Sequence, residues 1–191
     1  MGGVGSGAGD VAGCGEMEDF RVGTGFDVHR LVAGRPLVLC GVKFDHPRGL
    51  LGHSDADAPA HALADALLGA AALGDIGRHF PDTDPRWKGT DSMALLARVA
   101  AMLREEGWAV GNADVTVIAE EPKIGPRAAE MRERLAAALG VDAGAVSVKA
   151  KTMEKLGPVG AGEAIAAQAV ASIRRIGPGA AGPGESGTGE A

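Results

Sequence analysis

A chain of 191 residues is long enough for one domain with a proper core and too short for two of ordinary size. Of its residues 46% are hydrophobic, but many of these are Ala and only 3% are aromatic, so the core must come from aliphatic side chains and close helix packing. A formal charge of −6, no Tyr and two Trp argue against a dedicated nucleic-acid binder, which needs a basic stripe and stacking rings. An anionic small molecule remains a fitting ligand, because a few local donors decide that rather than total charge.

Residues 1–19 are Gly-rich without hydrophobic period and read as a disordered arm. Its first six residues fit the loose N-myristoylation pattern, and a plain Gly-rich arm fits them equally well. The start lacks the basic and apolar regions of a signal peptide, and no stretch reaches the roughly 20 apolar residues of a membrane span. Residues 20–26 read as a first strand. Residues 37–42 and those after Lys43 suggest a short hairpin closed near Gly41, with Cys40 a small buried hydrophobe. Two Cys, Cys14 and Cys40, without a C-x-x-C, fit a reducing, cytoplasmic setting.

Asp57-Ala58-Pro59 supplies a cap and a first-turn proline for a helix over residues 60–73 that stops at Gly74. Residues 75–84 read as a polar loop. A second amphipathic helix covers 91–106, capped by Thr90 or Asp91, and residues 113–119 alternate as a strand. A third helix covers 126–139 and ends at Gly140, and 146–152 is a further strand. Residues 164–176 are ambiguous: their Ala content favours a helix, while Ile165, Ala167, Ala169, Ala171 and Ile173 alternate. Residues 177–191 form a Gly/Pro/Ala tail. The elements point to an α/β (α+β) fold, a single two-layer domain over 20–176 with helices packed on one face of a small mixed sheet.

The chemistry concentrates in a few places. Asp27 and His29, two apart on a strand, point to the same side, and His61 can join them from the first long helix. One carboxylate and two imidazoles without thiolate suit a zinc site with an open position. The bland alternative is a strand Asp bonding backbone and a solvated His. The loop His53-Ser54-Asp55-Ala56-Asp57 offers His53 as a donor to a reacting phosphate, or is simply a capped turn. Asp65, one turn beyond His61, is a candidate to orient that imidazole, or else an exposed helical Asp. The Asp-rich stretch from Asp75 to Asp84 suits the hydroxyls of a polyol. Residues 121–126 end a strand at a helix N-terminus, where free N–H groups accept anions. Lys149, Lys151, Thr152, Glu154 and Lys155 form a surface run, or an electrostatic clamp if a diphosphate lies beside them.

Taken in order, Phe26-Asp27-Val28-His29, Gly52 to Asp57, His61 to Gly69, Gly74 to Gly77, Phe80 to Asp84 and Lys149 to Gly157 closely resemble the 2-C-methyl-D-erythritol 2,4-cyclodiphosphate synthase family of non-mevalonate isoprenoid biosynthesis. The resemblance covers roughly residues 20–176, and the agreement of several long motifs in register carries it. It implies a phosphorus–oxygen lyase in which the 2-phosphate of 4-diphosphocytidyl-2-C-methyl-D-erythritol 2-phosphate attacks the β-phosphorus, CMP leaves and a cyclic diphosphate forms. Carried over, the family roles make Asp27, His29 and His61 ligands of Zn2+, with His53 and Thr152 stabilising the transition state. Glu154 would hold a second divalent cation, Mg2+ or Mn2+. Substrate contacts are implied for Asp27, Val28, His29, His53, Ser54 and Ile76, and for Asp75, Gly77, Phe80, Pro81, Asp82, Thr83 and Asp84 on the methylerythritol side. On the cytidine diphosphate side they are implied for Ala119, Glu120, Glu121, Pro122, Lys123, Ile124, Gly125, Lys151, Thr152, Met153 and Glu154. The resemblance further implies a homotrimer with sites shared between neighbours, and a strand rather than a helix over 164–176.

This chain departs from the family pattern at Pro158 and Ala161, where Phe and Arg are frequent. The resemblance implies that the main chemistry does not use those positions, and that the missing Arg puts isoprenyl-diphosphate binding in a central trimer cavity in doubt. Two other readings stay open on the residues alone: a metal-dependent phosphohydrolase and a small zinc-stabilised interaction domain.

Overall fold

A computed structural model describes residues 19–176, so most of the Gly-rich arm and the whole tail lie outside the described residues. Alternation of apolar side chains builds seven strands: β1 (Phe20–Ala33), β2 (Leu37–Leu39), β3 (Val42–Phe44), β4 (Arg48–Leu50), β5 (Trp108–Ile118), β6 (Val146–Lys151) and β7 (Ala164–Arg175). Five of them form one sheet in the order β4-β1-β7-β5-β6, antiparallel except for the β5–β6 pair. β2 and β3 form a separate ribbon. The helices are α1 (Ala58–Ala70), α2 (Ile76–His79), α3 (Ser92–Glu105), α4 (Ala128–Leu139) and the single turn α5 (Gly157–Gly160). α1 lies across β1 and β7, α3 packs on α1 and β5, and α4 packs on α3 and β6. The mixed sheet with helices layered on it is the arrangement the sequence leads one to expect.

The closest contact in this layer is between backbones. A Cβ placed on Gly23 would lie 2.0 Å from the carbonyl oxygen of Ala66, and one on Gly25 would lie 2.0 Å from that of Ala62. Glycine at both positions lets α1 rest directly on β1. On β7, inward-facing Ala167, Ala169 and Ala171 are fully buried and leave the same shallow surface. Bulk comes from α1 itself through Leu63, Leu67 and Leu68, and from Leu96, Leu103 and Leu135 on the outer helices. A core so built needs few aromatic rings, in agreement with the composition.

The residue pattern of 164–176 resolves as strand. β7 is central, hydrogen-bonded on one side to β1 and on the other to β5, and its alternating set Ile165 to Ile173 supplies the buried face. Alanine's helix preference is overridden because two full ladders and one buried face reward the extended form. β1 runs seven residues beyond the expected end, and β5 starts earlier, at Trp108. α1 starts at Ala58 and stops at Ala70, short of Gly74, because Ala72 turns to φ 59°. The third helix opens with a 3-10 turn over Gly125–Arg127 before α4, and closes on Gly140 at φ 70° as expected.

The ribbon turn at Cys40 and Gly41 has both residues at positive φ, 51° and 71°. That is the geometry of a tight two-residue hairpin. Cys40 is fully buried, so its N–H group needs a partner within the protein. Asp57, the N-cap of α1, accepts the turn's N–H groups at 2.8 Å from Cys40 and 2.6 Å from Gly41, and also accepts the Ala60 N–H at 3.2 Å. Burial raises the Asp57 pKa to about 6 against the opposing pull of those hydrogen bonds. One carboxylate therefore ties the ribbon to the start of the helix that carries His61.

The open face of the sheet carries an apolar patch beside polar side chains such as Gln168 and the Asp114–Lys149 pair. Phe20, Val22, Phe26 and Val28 on β1 and Val170 on β7 are all exposed on it, Phe26 to 60%.

Two glycines in neighbouring elements should respond in opposite ways to alanine. Gly25→Ala forces α1 off the sheet and is expected to destabilise by about 1–3 kcal/mol or more. At Gly69 on α1 an added Cβ meets nothing within 4 Å, so Gly69→Ala should stabilise by about 0.5–1 kcal/mol. Urea unfolding of both variants measures the contrast.

Candidate active site

Asp27 and His29 alternate with the exposed Phe26 and Val28 and so face α1. The Gly25–Ala62 contact brings His61, one residue before Ala62, over them. Asp27 Oδ2 lies 2.9 Å from His29 Nε2 and 3.0 Å from His61 Nδ1, and the two imidazole nitrogens are 3.4 Å apart. Ligand atoms bonded at about 2.0–2.2 Å in a tetrahedral shell sit about 3.3–3.6 Å from one another, so the three atoms need to spread by only a few tenths of an ångström to hold an ion. The three residues fit a zinc-type ion, with one face of the shell left to a fourth ligand.

Burial opposes ionisation of Asp27, yet hydrogen bonds from His29 and His61 together with their charge outweigh it. The carboxyl is held well below the usual range. His29 is raised, chiefly by its hydrogen bond to Asp27 and against the effect of burial. Its other nitrogen, Nδ1, lies 2.9 Å from the Leu51 carbonyl and donates to it, which leaves Nε2 as the ligand atom.

His61 is held by partners other than the one its sequence neighbourhood suggests. Asp65 does not reach the ring: its Oδ1 accepts the Ile76 N–H at 2.7 Å and thereby anchors the start of α2. The helical spacing of His61 and Asp65 places them on one side of α1, but the ring turns inward and the carboxylate turns toward the 75–84 segment. His61 Nε2 instead meets Ser92 Oγ at 2.9 Å and Ser54 Oγ at 3.2 Å. Ser92 is the first residue of α3 and is buried. No motif or spacing marks it in the sequence, because its contact with His61 exists only once α3 packs on α1.

A cavity of about 290 Å³ opens beside the triad, lined by His29, His53, Ser54, His61, Ile76, Phe80, Asp82, Trp87 and Leu95 among others. His53 is exposed at its rim. The segment expected as a loop contains α2, whose N-cap Asp75 accepts the Arg78 N–H at 2.9 Å. Phe80 packs edge-on against Trp87, their centroids 5.0 Å apart, and forms one wall. Asp84 points elsewhere, to Arg86 at 2.6 Å. Gly77, Pro81 and Thr83 lie in the same segment without lining the cavity, and Val28 turns its side chain to the open face of the sheet.

The second group of candidates lines a different cavity of about 380 Å³. Its walls are Ala119, Glu120, Pro122, Lys123, Ile124, Gly125, Ala150, Lys151, Thr152 and Glu154. Parallel pairing of β5 with β6 puts Ile118 opposite Lys151, so the two strand ends emerge together. The turn that follows has Glu154 and Lys155 in the left-handed region, at φ 49° and 66°. Glu120 holds it there, accepting N–H groups of Met153 at 3.0 Å and Lys155 at 3.3 Å and pairing with Lys155 Nζ at 2.9 Å. Its side chain is thus engaged with the loop, beside Glu121, which is exposed. The Thr152 hydroxyl donates to Glu154. Lys149 is drawn off to Asp114 on β5, so the clamp retains Lys151 and loses Lys149. The two cavities share no lining residue.

Sheet, helix layer and triad fit a metal-dependent enzyme. Comparison with known proteins sharpens this: a model of the YgbB family matches residues 20–174, and the chain belongs to that family. It is 59% identical over 159 residues to 2-C-methyl-D-erythritol 2,4-cyclodiphosphate synthase of Dechloromonas aromatica, covering 83% of this chain and 99% of that one. A solved structure of a 2C-methyl-D-erythritol-2,4-cyclodiphosphate synthase in a CDP-bound form superposes with TM-score 0.74 at 40% identity, over 80% of this chain and 99% of that one. The bifunctional IspDF of Campylobacter jejuni matches with TM-score 0.81 at 41% identity, over 84% of this chain and 43% of its own.

Asp65→Ala tests the assignment of that carboxylate. It should leave bound zinc unchanged by elemental analysis, while loss of the partner of the Ile76 N–H costs about 1–3 kcal/mol locally. Faster amide hydrogen exchange across residues 76–80 is the expected reading.

Proposed function

We propose that this protein converts 4-diphosphocytidyl-2-C-methyl-D-erythritol 2-phosphate to 2-C-methyl-D-erythritol 2,4-cyclodiphosphate and CMP, as a phosphorus–oxygen lyase of isoprenoid biosynthesis. The observation that carries the reading is the convergence of Asp27, His29 and His61 in a chain that is 59% identical to a synthase of that name. Residues 20–176 form the synthase domain in this reading, and the cytoplasm is its setting. Among the described residues no helix is long and apolar enough to cross a membrane.

Intramolecular attack of one phosphate on another requires alignment and neutralised oxygens more than an acid or base. Asp27, His29 and His61 would hold Zn2+, and Glu154, exposed at the mouth of the second cavity, would hold Mg2+ or Mn2+. The bound ions supply positive charge to phosphate oxygens that otherwise repel each other. His53, exposed at the rim of the triad cavity, would donate to the attacking phosphate. The Thr152 hydroxyl would turn from Glu154 toward the β-phosphate, and Lys151 would add charge beside it. The Phe80–Trp87 wall and Asp82 would receive the methylerythritol portion. The backbone of residues 119–125 would receive the cytidine end, and a relative of this fold has been solved in a CDP-bound form.

A homotrimer supports this chemistry best. The triad cavity and the Thr152–Glu154 cavity have no residue in common, so one long substrate is served best by the triad of one subunit and the clamp of its neighbour. The exposed patch of Phe20, Val22, Phe26, Val28 and Val170 supplies apolar surface that a closed three-fold ring would cover.

Phosphorus NMR of the purified protein with the cytidyl substrate tests the reaction. A new cyclic diphosphate signal with release of CMP is expected, and inorganic phosphate or unchanged substrate rejects the reading. Subunit sharing is tested by mixing His61→Ala with Glu154→Ala subunits. Each alone should be nearly inactive, and random reassembly should restore about a quarter of the sites, because each heterologous interface needs the right variant on both sides. Confirmed subunit exchange without recovered activity places both groups on one chain.

A further inference from the structure

The surroundings of His61 Nε2 assign a role to two residues outside the ligand triad. Two hydroxyls face this nitrogen, Ser92 Oγ at 2.9 Å and Ser54 Oγ at 3.2 Å. Ser92 is buried and its two donors are both directed to Asp55. The hydroxyl donates to Asp55 Oδ1, and the backbone N–H donates to Oδ2 at 3.0 Å. A hydroxyl whose proton goes to a carboxylate has only lone pairs left for other neighbours. Contact with an unprotonated Nε2 would set two lone pairs against each other at 2.9 Å, so Nε2 must carry the proton and donate it to Ser92. The more distant Ser54 Oγ already accepts the Ala56 N–H at 3.2 Å and does not alter this direction.

We infer that Ser92, oriented by Asp55, is a positioning residue that keeps a proton on Nε2 of the His61 imidazole, so that Nδ1, facing Asp27 Oδ2 at 3.0 Å and His29 Nε2 at 3.4 Å, is the nitrogen that would exchange its hydrogen bond for an ion. The arrangement inserts a hydroxyl between carboxylate and imidazole, and so extends the usual carboxylate–histidine support of a metal ligand by one link. The inference rests on reading Asp27, His29 and His61 as a metal centre. It also links that centre to the loop carrying His53, since the same segments are joined by Gly89 N–H to the His53 carbonyl at 3.0 Å and Asp55 N–H to the Thr90 carbonyl at 3.3 Å. Ser92→Ala removes only the hydroxyl. The backbone bond from Ser92 to Asp55 and both of these links remain, which separates positioning of the ring from attachment of the loop.

Zinc dissociation constants of the full-length protein, measured by competition with a chromophoric chelator, give the main readout. Ser92→Ala should weaken zinc about 10- to 100-fold, and Ser92→Thr, which restores the hydroxyl, should recover most of the loss. Nitrogen-15 NMR of labelled imidazoles in the zinc-loaded wild type should show His61 protonated on Nε2, with a slowly exchanging proton that exchanges faster in Ser92→Ala. Should Ser92→Ala fold poorly, Asp55→Asn decides: its amide can donate to Ser92 Oγ, turns the hydroxyl proton toward Nε2 and must weaken zinc by a similar factor. Unchanged zinc affinity in the folded variants, or an unprotonated Nε2 in the zinc-loaded wild type, overturns the inference alone. A wild type that binds no zinc overturns the metal-centre reading and this inference with it.

Discussion

The backbone-to-backbone approach of α1 to β1 governs the rest of the molecule. With Gly23 and Gly25 offering no Cβ, the carbonyls of Ala66 and Ala62 come down onto the strand itself. The helix therefore sits a side-chain layer closer to the sheet than helices ordinarily do. Its leucines then reach outward to α3 and sideways over β7, where alanines keep the surface shallow. The same contact sets the height of His61 above Asp27 and His29. A methyl group at either glycine would separate the elements by more than the few tenths of an ångström that a metal shell tolerates.

Around that contact, carboxylates take on tasks that loops usually leave to water. Asp57 satisfies the N–H groups of a buried hairpin turn and of the helix start at once, and Asp55 takes both donors of Ser92. Glu120, at the far end of β5, holds two residues in the left-handed region so that Thr152 and Glu154 stand at a cavity mouth. In each case an acceptor-only group fixes backbone donors that otherwise lack partners. The outcome is a preorganised scaffold in which these three acidic residues are committed to the protein's own donors.

The open sheet face and the separation of the two cavities concern the same problem. A two-layer domain leaves one side of its sheet without a helix, and here that side bears an apolar patch on β1 and β7. In the proposed trimer, burial of the bare face and completion of the site are one event.

Much of this protein can be read from its residue order. The Asp-x-His pair on a strand, the capped helix bearing His61, the Gly140 stop and the hairpin at Gly41 all follow from local periodicity and turn chemistry. The family resemblance, carried by motifs in register, named the site residues, and the three proposed metal ligands do converge. What sequence could not decide depends on contacts between distant segments. Residues 164–176 carry both helical and strand signals, and only ladders to β1 and β5 on either side choose the strand. Asp65 shares a helix side with His61 yet serves the Ile76 N–H, because the ring turns to the sheet and the carboxylate to the neighbouring loop. Ser92 carries no signal of its own, being one serine at a helix start. It meets His61 across 31 positions of sequence because two helices pack there. Local rules determine which elements form and which residues carry chemistry, while the partner of each polar group is settled by which elements come to lie against one another.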